Sequence, residues 1–160
     1  MLESGLGIHQ NEVQAAEWQR RAAAQGHTGA QTRLGVMYSN GRGVPKHAGA
    51  AAHWTRLAAE RGDAPAQRNL GMYLMDDRVG ATDPAQGVTW IRKAAEQGFA
   101  PAQSLRGWML QVGHGVSRDE AQAVAWLRKA ADQGDADAQK ALDEIRTAAM
   151  ARSGATVPDR

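Results

Sequence analysis

Five histidines, His9, His27, His47, His53 and His114, are the residues of this chain best suited to acid–base or metal chemistry. No two of them stand four apart and none forms a Glu-x-x-His arrangement, so no helical turn presents a pair of metal ligands. Cysteine is absent, which removes disulfides, thiolate zinc sites and cysteine nucleophiles. Neither a nucleophile elbow nor a zinc-protease motif occurs. Two glycine-rich segments, Gly41-Arg42-Gly43-Val44 and Gly113-His114-Gly115-Val116, have the composition of a phosphate cradle. A phosphate loop follows a strand and leads into Lys-Ser/Thr, and neither neighbour is present. The residues therefore predict no enzyme, no metal site and no cofactor.

Trp and Arg remain, the side chains that most often anchor protein interfaces. Aromatics make up only 5% of the chain, yet five of them are Trp, against two Tyr and one Phe. The formal net charge is +2, and the longest basic runs are the pairs Arg20-Arg21, Arg92-Lys93 and Arg128-Lys129. A nucleic-acid binder shows a denser stripe, so no nucleic acid is expected. No stretch approaches the length of apolar sequence needed to span a bilayer. Residues 1–10 have no basic region followed by an apolar run, so they do not read as a signal peptide.

The elements that position these residues follow from an internal repeat. Trp18, Trp54, Trp90 and Trp126 are spaced by 36, as are Arg20, Arg56, Arg92 and Arg128. Gly26, Gly62, Gly98 and Gly134 keep the same offset, and so do the Ala-Gln pairs that begin at Ala30, Ala66, Ala102 and Ala138. Each period reads as two helices. Helix B carries Trp-x-Arg-x-Ala-Ala and ends on the glycine, which suits a left-handed C′ residue. Trp and the first Ala lie four apart on one face, so the ladder tryptophans are expected in the core. Asp83-Pro84 and Ser117-x-x-Glu120 read as helix starts. Helix A carries Ala30, Leu34 and Tyr38 at helical spacing as its buried stripe. Gly35, Gly71 and Gly107 recur inside it at a cost of about 1 kcal/mol each against Ala, which predicts close approach of a neighbouring helix.

These residues resemble the Sel1-like repeat family. The shared pattern is A-x-x-x-L-G-x-x-Y-x-x-G-x-G-V followed by D-x-x-x-A-x-x-W-x-x-K-A-A-x-x-G. Residues 30–62 match it with His47 in place of Asp, and residues 113–134 match its second half with Asp119 and Ala123 in position. Residues 5–26 match that half with Ile8 for Val and Asn11 for Asp. Two departures stand out: Asp77-Arg78-Val79-Gly80 replaces the Gly-x-Gly turn, and Arg106 replaces the leucine of Leu34 and Leu70. Either the third helix A rotates onto Leu105 and Met109, or Arg106 snorkels.

The resemblance implies an all-α fold, a right-handed α/α superhelical solenoid of 36-residue helix pairs with about eight helices. Its parts would be one solenoid over 1–151, made of a partial first repeat 1–26, repeats 27–62, 63–98 and 99–134, and a capping helix 135–151, with a flexible tail over 152–160. It also implies a scaffold that binds another protein in a concave groove, with an immunity protein against a secreted bacterial toxin as a specific version. The alternative is binding of a polyanion or envelope polymer through the repeated arginines. The bacterial periplasm is the compartment the resemblance suggests, with the cytoplasm left open.

In related helix-pair arrays the A helices line the groove. Position 36 lies about 200° from the Leu34 stripe. The partner-binding residues expected there are Val36, Met72 and Trp108, flanked by Arg33, Arg68, Asn69, Met75 and Arg106. Trp108 is the Trp outside the ladder; its structural alternative is local packing after a rotation of its helix. The repeating Gln31, Gln67 and Gln103 are expected to be architectural, and the repeated arginines to lie on a solvated face.

The chain opens in mid-repeat, with Gly5-x-Gly7 in the phase of the Gly41-x-Gly43 turn. The first helix B would then lack cover over Ala15, Trp18 and Ala22. That predicts an end face open to an upstream segment, a partner or self-association. Asp143, Glu144 and Arg146 would give the last helix A a polar outer face.

Overall fold

Each 36-residue period becomes a pair of helices because its apolar residues recur at helical spacing and its glycines stop the chain between them. The computed structural model describes residues 3–76 and 82–154, with side chains from residue 11 onward. Among these residues there are eight helices and no strand: α1 (Glu3–Ala24), α2 (Thr28–Asn40), α3 (Ala48–Glu60), α4 (Ala64–Met75), α5 (Pro84–Glu96), α6 (Ala100–Val112), α7 (Glu120–Ala131) and α8 (Ala136–Ser153). They form two compact units, residues 1–94 and 95–160.

In the first unit α1 packs on α2, α2 on α3 and α3 on α4. In the second, α6 packs on α7 and α7 on α8. The contact inside each A–B pair depends on the helix-interior glycine. A Cβ at Gly35 would collide with Thr55 Oγ1. One at Gly71 would lie 2.7 Å from the Gly87 carbonyl oxygen, and one at Gly107 2.6 Å from Leu127 Cγ. The helices thus meet backbone to side chain, and the facing residues Thr55, Ile91 and Leu127 are fully buried. Burial of an Ile or Leu at such a site contributes about 1.5–3 kcal/mol relative to leaving it exposed.

The repeated glutamines tie one pair to the next. Gln31, Gln67 and Gln103 are buried, and their side-chain amides donate to the carbonyls of Ala23, Ala59 and Ala95 at 3.1, 3.1 and 3.2 Å. Each is a second donor to a helix-terminal carbonyl that also accepts the N–H of the following stop glycine, Gly26, Gly62 or Gly98. Gln139 departs from the series: it is exposed and turns to Asp143 instead.

Several expectations are corrected. The ladder tryptophans are not the core. Trp54 is half-buried against Ala23, Ala30 and Leu34, and Trp90 against the cluster of Ala58, Ala59, Ala66, Leu70 and Leu74. The inward position of helix B is the residue after Trp, because the glycine-lined contact admits Thr, Ile or Leu but leaves no room for an indole. The outer face of Trp90 is covered by Lys93 and that of Trp126 by Lys129, with Nζ 4.3 and 4.4 Å from the ring centroid.

Gly5 and Gly7 lie inside α1 rather than in a turn. At 41–44 the turn is held in place because Gly43, at φ 67°, lies against the Glu12 carbonyl, Val44 is buried and Arg42 pairs with Glu12 at 3.0 Å. At 5–8 no such supporting helix exists among the described residues, and helical hydrogen bonds satisfy the backbone instead. The start of α7 is capped by Asp119, whose carboxylate accepts the Gln122 N–H, and not by Ser117. His47, standing where Asp is usual, still caps α3: its Nδ1 accepts the Ala50 N–H at 2.9 Å. Asp83 caps α5 as its sequence suggests, accepting the Gln86 N–H at 2.9 Å. The last helix runs to Ser153, so Arg152 is helical. Residues 77–80, where a different turn shape is expected, and residues 155–160 of the tail lie outside the described residues.

Candidate functional site

The face of an A helix opposite its leucine is free of the core, and α2 and α4 bring two such faces together. Leu34 and Leu70 are buried, so Val36 and Met72, roughly half a turn away, point outward and are 37% and 42% exposed. They line one groove of about 220 Å³ with Ser39, Asn40, Asn69 and Tyr73. The groove therefore has two aliphatic walls and a rim of amides and hydroxyls. Helical phase alone marks Val36, Met72 and Asn69. It does not mark Asn40 or Tyr73, because position 40 borders the turn and Tyr73 shares its phase with Met109, which is fully buried.

The flanking residues differ in their surroundings. Arg33 is exposed and makes no hydrogen bond or ion pair among the described residues. Arg68 is half-buried; its Nη1 donates to Asn69 Oδ1 at 3.2 Å, and its Nε is shielded from solvent without a partner. Met75 is half-buried, with its Cγ against Gly87 of α5, so it packs more than it presents.

Trp108 and Arg106 belong to the second unit. Trp108 is 45% exposed, with its ring 5.4 Å from that of His114 at an interplanar angle of 49°. The helix has not rotated to bury it, since Gly107 still faces Leu127 as Gly35 faces Thr55. Arg106 instead tucks in beside its neighbours, half-buried with Nε and Nη1 shielded from solvent, while Met109 and Leu110 take over the packing. Unexpected from sequence is a charged groove of about 240 Å³ with Gln111, Arg118, Glu120, Glu144 and Arg152 in its wall. Glu120 accepts from Arg152 at 3.2 Å and lies 3.9 Å from Arg118, so its charges are internally matched.

The repeated arginines Arg20, Arg56, Arg92 and Arg128 are all exposed. Arg20 is engaged, donating to Glu17 at 2.8 Å and to the Tyr38 hydroxyl at 3.3 Å. The first helix leaves Trp18 68% exposed, with the Arg21 guanidinium over its ring. Among the described residues no three His, Asp or Glu groups converge as a metal site would need, and no helix is long and apolar enough to cross a membrane.

Against this geometry the comparisons with known proteins agree on one family. The Sel1 repeat model matches residues 1–27, 28–63, 64–99 and 100–135. No curated protein matched the chain. Among solved structures, a protective antigen present in uropathogenic Escherichia coli strains, displaying an SLR fold, is 36% identical with a TM-score of 0.81. That match covers 89% of this chain and 31% of the antigen. A Sel1 repeat protein from Oxalobacter formigenes is 33% identical with a TM-score of 0.75, over 87% of this chain and 56% of its own. The chain thus spans less than two thirds of either relative. Sel1 repeat proteins are typically non-catalytic scaffolds that mediate protein–protein interaction. With four consecutive matches that together span residues 1–135, the chain belongs to the Sel1 repeat family.

Proposed function

We propose that this chain is a protein-binding module that takes a segment of a partner protein on the exposed faces of α2 and α4. The observation that carries the reading is the groove between them. Val36 and Met72 expose apolar surface there without serving the core, and Asn40 and Asn69 stand beside them with amide groups able to meet a peptide backbone. An apolar centre with a polar rim is the anatomy of a recognition surface. Trp108 is a second candidate anchor, carried by the other unit.

Within this reading, an inhibitory or immunity role against a secreted bacterial toxin is the specific version, and the periplasm the compartment that suits it. A polyanion reading through the repeated arginines has less support, because Arg20 is already held by Glu17 and Tyr38. The test is capture of partners from the native host by the wild-type chain and by Val36→Glu/Met72→Glu, with circular dichroism to confirm equal helicity. Loss of a captured protein from the double variant supports the groove. An unchanged set of partners removes it, and loss of all binding at about 200 mM salt in both forms favours a polyanion ligand.

A further inference from the structure

The charges carried by the two helices of the α2–α4 groove are of one sign. Helix α2 carries a single charged residue, Arg33, and α4 a single one, Arg68; neither helix contains Asp or Glu. The acids nearest in sequence are committed elsewhere. Asp63 caps α4, accepting the Ala66 N–H at 2.8 Å and the Thr32 hydroxyl at 3.0 Å, and Asp76 at the other end is also engaged. Other arginines of the first unit are held: Arg20 and Arg21 by Glu17, Arg42 by Glu12, and Arg61 by the Gly26 carbonyl. Arg56 is exposed too, but it stands on α3 and not on either helix of this groove. Arg33 and Arg68 have no carboxylate partner among the described residues, and Arg68 keeps a solvent-shielded Nε with an unused donor.

Helical spacing sets these groups in order along the groove. Arg33, Val36 and Asn40 fall on successive turns of one face of α2, and Arg68 and Met72 stand four apart on α4. Each cation stands about one turn before the aliphatic residue of its own helix, beside the groove, while Val36 and Met72 line it and Asn40 follows one turn after Val36. A ligand complementary to that order is extended, carries an apolar side chain and has carboxylates to one side of it.

We propose that the α2–α4 groove docks an acidic, extended segment of a partner protein, with one apolar side chain between Val36 and Met72 and flanking Asp or Glu carboxylates on Arg33 and Arg68. The proposal rests on the protein-binding reading above and adds the chemistry of the partner. Charge complementarity of this kind selects among partners and speeds encounter.

The experiment uses three fluorescein-labelled synthetic peptides of equal length, in which Leu alternates with Glu, with Ser or with Lys. Fluorescence anisotropy reports binding to the intact chain at low and moderate salt. The Glu–Leu peptide is expected to bind and to weaken as salt rises, while the Lys–Leu peptide does not bind. Arg33→Gln should weaken the Glu–Leu complex about threefold, as for an exposed ion pair. Arg68→Gln should weaken it about tenfold, as for a charge-assisted bond with little access to water. Met72→Glu should abolish it. Arg33→Gln alters only an exposed side chain, so it keeps the test valid if Arg68→Gln unfolds. Binding of the Ser–Leu peptide as tightly as Glu–Leu, lost with Met72→Glu but not with the arginine variants, overturns the acidic partner and leaves the protein-binding groove standing. Failure of all three peptides, or Glu–Leu binding indifferent to Met72→Glu, overturns the proposal.

Discussion

The Asp119 carboxylate accepts two bonds from one residue, the Gln122 backbone N–H at 2.9 Å and the Gln122 side-chain amide at 2.8 Å. The backbone bond first and the amide second hold its pKa below the usual carboxylate range. A pKa depressed in the folded chain means that the unfolded chain binds the proton more readily. The stabilising contribution is therefore complete above the usual carboxylate range and is lost as pH falls through the folded value. Asp119→Asn keeps the capping acceptor but has no proton to gain. Its urea midpoint should fall less than that of the wild type between neutral pH and about pH 3. Equal falls in the two proteins would mean that Asp119 has no part in acid sensitivity. Cap chemistry is half legible in the sequence. Residue type alone marks Asp83 before Pro84 and the glycine stops. Ser117 and Asp119 are both good caps, and only the position at which α7 begins decides between them.

At the scale of the element, the glycines inside helix A separate two kinds of position. Gly71 faces backbone: a Cβ there would lie 2.7 Å from the Gly87 carbonyl oxygen and 2.5 Å from Ile91 Cγ1. Gly71→Ala should destabilise by about 1–3 kcal/mol, since overpacking outweighs the gain in helix propensity. Gly29 lies in α2, and a Cβ added there would meet nothing within 4 Å. Gly29→Ala should be neutral or stabilise by up to about 1 kcal/mol. Thermal or urea unfolding of the two variants tests the pair, and a Gly71→Ala protein as stable as the wild type would refute the close-approach account. The glycine ladder is visible in the sequence, but its counterpart is not. Positions 55, 91 and 127 are Thr, Ile and Leu, and a ladder that changes residue type cannot be seen by matching letters. The tryptophan ladder is more conspicuous and draws the core assignment to itself, although an indole is too large for that contact.

For the molecule as a whole, the repeats depend on one another through their tryptophans. Trp90 on α5 seats against residues of α3 and α4, and Trp54 on α3 against residues of α1 and α2. Trp18 holds the same phase with no preceding pair among the described residues, and 68% of it is open. Trp90→Ala should cost about 2 kcal/mol or more, the lower range for an aromatic that is only half-buried. Trp18→Ala should cost less than about 1 kcal/mol. Urea unfolding followed by circular dichroism separates the two, and equal losses would show that Trp18 is held by contacts the structure does not contain. The candidate groove is legible to the extent that phase can mark Val36, Met72 and Asn69. That α2 and α4 each carry one arginine and no acid is legible too, once the helices are delimited. The state of each arginine is not, because pairing depends on which carboxylates the fold brings within reach.

The glutamine bond between repeats also limits how such a chain can change its length. Gln31, Gln67 and Gln103 each reach back eight residues to a carbonyl, and Trp54 and Trp90 each seat on the pair immediately before their own. These joining contacts are thus written within little more than one period of the gene. Unequal recombination that adds or deletes a whole period recreates each of them at the new junction. A gain or loss of any other size inside a helix breaks the register of Gly, Trp and Gln together. Evolution of this chain should therefore proceed by counting whole repeats, with smaller length changes confined to the links between helices.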